Sequence, residues 1–543
     1  MNSMLFSFIG VTGDLPAIQT VNESFAHSVL TVLRLVSLQS QNSLRSVSLL
    51  FNARSPRTQL MLQIHLLSEL QTLFLLCDIL AVFLVLYLCR CNALITAHIM
   101  RTFPMPSRTR DNKTAFLWDE SFLWGLMSYR ALKSACLPFD LVRSEDILKG
   151  VLSRYKLLFV PGGWASNKIK TLGPEGIIKI KEFVGSGGNY LGFCGGGGLA
   201  TLDGIGLLNL SRKPTKERVP SFSGRIRLNL SEHPIWQGIT EPVFHAWWPS
   251  QLLRDGNDTS ILASYSHALP DSFSSDLSVG DTVRYGNWSD MEKHYRINLN
   301  PDRLVNDPAV VEGTYGEGMA LLSLIHFDTP GDTNGSVVLK NLWRYLGGIE
   351  DAETRRHGDT EIKAHEDTGT RRYSVNVVSP RPRVSASPRQ DFPRPGCGVS
   401  EVIADLESAV DELISLGERN FLWFWRNPML LQWRRGVRGL EYCTLYVLIK
   451  EISERIKYSS ADPSLIADHV FRIKDSLIPF VEKAMHLLIL ERHAMQNGPI
   501  TYETCDNPEI QKIRTELFAG SKSYGGKFKE LIDKVDTLLY ALL

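Results

Sequence analysis

Cys194 stands where a chain would deliver a nucleophile. It closes a strand-like run, Asn189-Tyr190-Leu191-Gly192-Phe193, and opens four glycines, Gly195 to Gly198, that lead into Leu199-Ala200. Gly192-Phe193-Cys194-Gly195-Gly196 has the G-x-C-x-G spacing of a sharp strand-to-helix elbow, in which side chains flanking the nucleophile would collide with the turn. Glycine removes the collision and admits positive φ. A cysteine so placed needs a base to take its proton and a third group to orient that base. His326 ends the apolar run Met319 to Ile325, and Asp328 follows two positions later, so both side chains can face one cleft from a strand end. The backbone N–H of Gly195 and that of the Gly162-Gly163 turn are the expected oxyanion donors. A helix beginning after Cys194 would also bring its positive end toward the sulfur. The chemistry implied is thiolate attack on a carbonyl. The plainer alternatives are a structural cysteine in a tight turn, a hydrogen-bonded histidine at a strand end, and Asp328 as the first residue of a turn through Thr329-Pro330-Gly331-Asp332.

Other patterns carry less. Gly195-Gly196-Gly197-Gly198-Leu199-Ala200 also fits G-x-G-x-x-A after a strand, a dinucleotide fingerprint, but no acid ends a second strand some twenty residues on. His245-Ala246-Trp247-Trp248-Pro249 concentrates aromatics, and His245, Trp247 and Trp248 are candidates to line a pocket for a small substrate. Core packing is the simpler use for them. The eight cysteines include no C-x-x-C pair, so neither a disulfide framework nor a zinc site is indicated, and no metal or cofactor is expected. A net charge of +1 gives no reason to expect nucleic acid.

The elements that must position these residues can be read from periodicity. Thr114 to Trp118, Phe139 to Val142, Lys156 to Val160 and Tyr190 to Cys194 read as strands. Phe122 to Ala135, Ser144 to Ser153 (with Ser144 as N-cap) and Glu175 to Val184 read as helices between them. Strands alternating with helices predict a parallel α/β sheet, whose ligands bind beyond the carboxyl ends of its strands. Gly162, Gly163 and Cys194 all fall at such ends. Residues 351–399, charged and interrupted by Pro380, Pro382, Pro388, Pro393 and Pro395, read as a disordered linker. Residues 400–543 read as helical throughout, with Gly417 stopping the first helix and Gly525-Gly526 interrupting the last.

Phe159-Val160-Pro161-Gly162-Gly163, the Cys194 elbow and His326-Phe327-Asp328 together resemble the class I glutamine amidotransferase-like superfamily. Within it the resemblance is to the biotin–protein ligase N-terminal domain family, over about residues 113–350. It implies an α/β fold with a mostly parallel, flavodoxin-like sheet flanked by helices. It also implies Cys194 as nucleophile, His326 as base, Asp328 as orienting acid, and an oxyanion hole at Gly163 and Gly195. Two departures stand out. The superfamily pattern has His-x-Glu where this chain has His-Phe-Asp, and about 130 residues separate Cys194 from His326, so an insertion must lie between them.

The expected organisation is an N-terminal leader over 1–112, an amidotransferase-like domain over 113–350, the linker, and an all-α domain over 400–543. The leader carries an apolar stretch, 72–89, just long enough to span a membrane. Asp78 would cost about 2.5–3.5 kcal/mol near its centre, against about 0.3–0.6 kcal/mol returned by each Leu, Ile, Phe or Val. N-x-S/T sequons begin at Asn112, Asn209, Asn229, Asn257, Asn287 and Asn334, which points to a lumenal domain. Arginines on both flanks of 72–89 point weakly the other way. The expected partners are a small amide substrate, a membrane through 72–89, and a protein on the C-terminal helices. The function expected is a Cys-His-acid amide hydrolase or amidotransferase; a binding or scaffold protein that keeps the shape without the chemistry is the alternative.

Overall fold

In the computed structural model, five strands run parallel and set the site. They are β1 (Thr114–Leu117), β2 (Asp140–Val142), β3 (Leu157–Val160), β4 (Asn189–Phe193) and β13 (Gly318–Ser323), in the spatial order β2-β1-β3-β4-β13. This is the flavodoxin-like order expected, with β13 as its fifth strand. Every residue of β1 and β3 is buried, as a parallel strand covered on both faces requires. The connecting helices are α1 (Phe122–Ser134), α2 (Ser144–Leu148), α3 (Ala165–Gly185) and the one-turn α4 (Gly195–Leu199).

Residues 113–348 (without Asp255 and Asn257), 397–459, 463–498, 500–501, 505–519 and 524–543 are described by the structure, and all belong to one compact unit, Arg110–Leu543. The apolar stretch 72–89, the rest of the leader and nearly all of the linker lie outside the described residues. Among the described residues no helix is long and apolar enough to cross a membrane.

The insertion between Cys194 and His326 extends the same sheet in antiparallel fashion. Beyond β13 come β12 (Pro308–Tyr315), β9 (Thr259–Ala268) and β6 (Phe222–Leu230), with β10 (Phe273–Ser274), β11 (Leu277–Ser278) and β7 (Val243–Trp247) at the far side. The sheet is therefore mixed: parallel where the chain crosses over through helices, antiparallel where hairpins build the insertion. A small separate ladder joins β5 (Leu210–Arg212) to β8 (Leu252–Arg254). Two short helices, α5 (Val279–Tyr285) and α6 (Trp288–Tyr295), follow β11, and α7 (Thr333–Gly347) follows the site.

Some local expectations change. Ser144 is the first residue of α2, and Arg143 takes the N-cap position. The Ser144 N–H is claimed by Asp119 Oδ2 at 2.6 Å, and Asp146 Oδ2 accepts from the Arg143 N–H at 3.0 Å, so an acidic residue on each side does the capping. Nor is the C-terminal region helical throughout. After α8 (Cys397–Arg419) comes a hairpin, β14 (Trp423–Asn427) and β15 (Leu430–Trp433), before α9 (Gly439–Ile456), α10 (Pro463–Ala494), α11 (Pro508–Phe518) and α12 (Gly526–Leu542). Leu422 to Trp425 and Leu430 to Trp433 are rich in aromatics that suit strands, and Asn427 makes the turn by accepting from the Met429 N–H at 2.8 Å. Gly417 does not stop α8. A Cβ there would come within 2.0 Å of the Trp423 ring, so glycine is present to let the hairpin close on the helix.

These helices share a core with the α/β part. Trp118 Nε1 donates to Asp536 Oδ1 of α12 at 2.8 Å, Arg143 pairs with the other oxygen at 3.2 Å, and Phe122 packs on Tyr524 at 5.3 Å. Burial pushes the Asp536 carboxyl up to about 7 even though Arg143 opposes the shift.

Candidate active site

Register places the site. Val160 lies opposite Gly192 and Phe193 opposite Ser323, so β3, β4 and β13 end side by side. The Pro161-Gly162-Gly163 turn, the Cys194 elbow and the segment reaching His326 are thereby three neighbouring turns on one edge of the sheet.

The elbow is strained and depends on glycine. Cys194 has φ 47° and ψ −105° and is half-buried, a conformation that costs on the order of 1–3 kcal/mol for a residue with a Cβ. Its N–H donates to Ser323 O at 2.7 Å, tying the elbow to β13. A Cβ on Gly192 would stand 2.5 Å from Gly196 O, one on Gly195 1.7 Å from Gly163 O, and one on Gly196 2.0 Å from Val160 O. Gly192, Gly195 and Gly196 are therefore required by close approach of the protein's own backbone, whereas a Cβ on Gly197 or Gly198 would meet only ordinary contacts. Gly163, at φ 115°, abuts the Glu120 carbonyl in the same way.

His326 is fully buried and its Nδ1 lies 3.0 Å from Asp328 Oδ1. The shorter acid thus reaches the imidazole, and the missing methylene does not open a gap. Asp328 Oδ2 accepts in turn from Ser128 Oγ on α1. Burial pushes the imidazole down, but the Asp328 charge and hydrogen bond, with a smaller contribution from Cys194, hold it up at about 10. Nε2, the nitrogen free to exchange a proton with a thiol, has no aligned hydrogen-bond partner. Cys194 nevertheless lies close enough to raise the imidazole pKa by a hydrogen-bonding contact as well as by charge, and catalytic hydrogen bonds commonly tighten only once substrate is in place.

Trp124 of α1 lies against the His326 ring with centroids 4.7 Å apart, and Gly162 fits between them: a Cβ there would meet Trp124 at 3.0 Å and His326 Cε1 at 3.3 Å. The three aromatic candidates separate. Trp248, at φ 48°, meets Trp124 edge-on at 6.1 Å and stacks on Trp433 of β15 at 4.7 Å. His245 and Trp247 stack on each other and line a cavity. They touch the site through bonds: His326 N donates to His245 O at 2.9 Å, and Trp247 Nε1 donates to Thr329 Oγ1, which donates to His326 O.

Sequence reasoning missed Ser128, Trp124, Trp433 and Tyr265. Tyr265 is fully buried, its hydroxyl has no partner among the described residues, and burial, with the Cys194 charge second, raises its pKa. Only Ser128 left a sequence signal, as a lone hydroxyl on the otherwise apolar face of α1. Among the described residues no cluster of His, Cys, Asp and Glu could hold a metal ion.

Residues 147–203, from α2 through the elbow, match the biotin–protein ligase N-terminal domain family. No curated protein matches the chain. Among solved structures, a protein from Thermoplasma acidophilum described as one of the subunits of a GMP synthase is 11% identical, with TM-score 0.29, over 46% of this chain and 98% of its own. A β-galactosidase from Bacillus circulans sp. alkalophilus is 14% identical, with TM-score 0.29, over 45% of this chain and 32% of that much longer one. Similarities this low leave fold and site to stand on the chain's own geometry.

Proposed function

We propose that the protein is a cysteine-nucleophile amide hydrolase or amidotransferase-like enzyme, related to the class I glutamine amidotransferases. The observation that carries this reading is the buried His326–Asp328 pair set beside a strained Cys194 elbow. With its pKa held up at about 10, His326 enters the reaction as the imidazolium, and the thiolate form of Cys194 is the nucleophile. The thiolate sulfur adds to the amide carbonyl carbon, and the negative charge moves to the carbonyl oxygen. The N–H groups of Gly163 and Gly195 stabilise that oxyanion. As it collapses, His326 passes its Nε2 proton to the leaving nitrogen, giving a free amine and a thioester on Cys194. His326, now neutral, takes a proton from water as the water adds to the thioester; expulsion of the thiolate frees the acid and leaves His326 protonated again. Asp328 keeps the ring oriented throughout and Ser128 holds Asp328. Trp124 and Trp248 form the apolar wall beside the reacting atoms.

Labelling with iodoacetamide and turnover of a panel of small primary amides, glutamine among them, test this. The wild-type thiol at 194 should alkylate fast at neutral pH and Cys194→Ala should lose both labelling at that position and turnover with the fold retained. Equal turnover in the variant overturns the reading.

A non-catalytic binding protein is the second reading, favoured by the absence of an aligned bond at His326 Nε2. It predicts that Cys194 alkylates no faster than an ordinary half-buried thiol and that no amide turns over. The C-terminal helices would then carry a protein partner.

A further inference from the structure

The antiparallel half of the sheet and the C-terminal hairpin border an open cleft of about 460 Å³, the size of small-molecule sites. Cys194 does not line it. Two guanidinium groups do, those of Arg225 from β6 and Arg426 from β14, with one carboxylate, Asp271, between them. Asp271 Oδ2 pairs with Arg225 Nε at 2.8 Å, while Arg426 reaches only neutral acceptors, Asp271 O at 3.2 Å and Gln432 Oε1 at 3.1 Å. Among the described residues no carboxylate comes within ion-pairing distance of Arg426. Its guanidinium instead lies over the Phe273 ring at 4.6 Å and the Trp247 ring at 5.7 Å. Burial pushes Arg426 down from its ordinary value; Asp271 opposes this and the like charge of Arg225 adds to it. The other wall is His245, whose Nδ1 is held by Asp332 Oδ2 at 2.8 Å, which leaves Nε2 for a ligand. Half-exposed Phe424 supplies an apolar face at the mouth. Arg426, with no ion-pair partner among the described residues and aromatic rings on one side, is therefore the group an incoming anion would engage, with Arg225 beside it.

We propose that this cavity binds a small organic anion, with its carboxylate or phosphate held by Arg426 and Arg225 and its apolar body against Phe424 and Trp247. This goes beyond the amide-hydrolase reading and holds whether or not Cys194 turns substrate over. Titration calorimetry of the full chain with benzoate, phenyl phosphate, inorganic phosphate and neutral benzyl alcohol tests it. Benzoate or phenyl phosphate should bind saturably, and whichever is tighter identifies the anionic group. Inorganic phosphate should be weaker and benzyl alcohol should not bind. Arg426→Gln should weaken the binding about tenfold or more, the worth of a charge-assisted bond. Arg225 is exposed enough to be replaced without touching the core, so Arg225→Gln, which should also weaken binding, keeps the test decisive if Arg426→Gln does not fold. Alkylating Cys194 beforehand should leave the affinity as it was. No saturable binding of either ring-bearing anion, equal affinity in Arg225→Gln, or loss of binding after alkylation of Cys194 overturns the proposal. Calorimetry reads this site and thiol labelling reads the other, so failure of one is distinguishable from failure of the other.

Discussion

Two histidine–aspartate pairs of almost the same length occupy different halves of one sheet. His326 and Asp328 lie 3.0 Å apart, both wholly buried, at the end of a parallel strand. His245 and Asp332 lie 2.8 Å apart on the antiparallel side, with His245 partly exposed to a cavity. In the first pair both carboxylate oxygens are used, one by the imidazole and one by Ser128, and the Cys194 thiol interacts with the ring. In the second, Asp332 is also the N-cap of α7, accepting from the Gly335 N–H at 2.8 Å, so it has structural work to do besides holding a histidine. A His–Asp contact alone therefore says little. Burial, the second bond on the acid, and what faces Nε2 make one pair a candidate for proton transfer and the other a wall of a binding cavity.

The comparison can be broken most forcefully at Asp328. Asp328→Asn keeps the size of the group but removes the charge that holds His326 up at about 10. Proton transfer through His326 should then be impaired, and any amide turnover should fall by about 10²–10⁴-fold, as for loss of an orienting acid elsewhere. The pH profile of iodoacetamide labelling is the measurement. Wild type should label faster than the variant across the neutral range; coincident profiles would place the two His–Asp pairs in the same class. Stability carries the matching sign. The folded-state value of His326, about 10, exceeds its unfolded value of about 6.5, so its contribution is fully present below about 6.5 and is lost as pH rises through about 10. Chemical denaturation of wild type against Asp328→Asn across that window should show the difference shrinking with rising pH.

Ser128→Ala should have a smaller effect of the same kind. It removes the bond on the outer oxygen of Asp328, leaving a buried carboxylate oxygen unsatisfied, which costs on the order of 1–3 kcal/mol. Labelling should slow by about tenfold, with Ser128→Thr restoring part of the rate. A Ser128→Ala rate equal to wild type would remove Ser128 from the site. The smallest effect belongs to the other pair. Asp332→Ala removes the cap of α7 and should lower stability by about 1 kcal/mol, read as a shift in the denaturation midpoint. A loss of several kcal/mol there would mean that the His245 pair is structural in the way the His326 pair is not.

Legibility follows the range of the interactions. The strands of the parallel half are readable to within a residue or two, because most of them are continuous apolar runs, and β3 and β4 are closed by Pro161 and the glycines after Cys194. The hairpin β14–β15 reads as helix because its cue, aromatic clusters around Asn427-Pro428, is short and sits between long helices. Gly417 reads as a stop for the same reason: a glycine needed for close approach and a glycine needed for a turn look alike until Trp423 is seen against it.

The local chemistry of the site is written in the sequence. Gly192, Gly195 and Gly196 around Cys194, and Asp328 two residues from His326, are constraints within a few positions, where sterics and side-chain reach leave little choice. What the chain does not state by itself is everything that depends on distant segments meeting. Ser128 finds Asp328 across 200 residues, and Trp118 finds Asp536 across 418. Trp433 reaches Trp248 from a hairpin that no local pattern assigns to the site. The separation of His245 and Trp247, which line the cavity, from Trp248, just beyond β7 and packed on Trp124 and Trp433, is likewise decided by tertiary structure. Residue type specifies what a side chain can do, but burial and neighbours, which set its charge and its partner, exist only once the sheet and the C-terminal helices have packed.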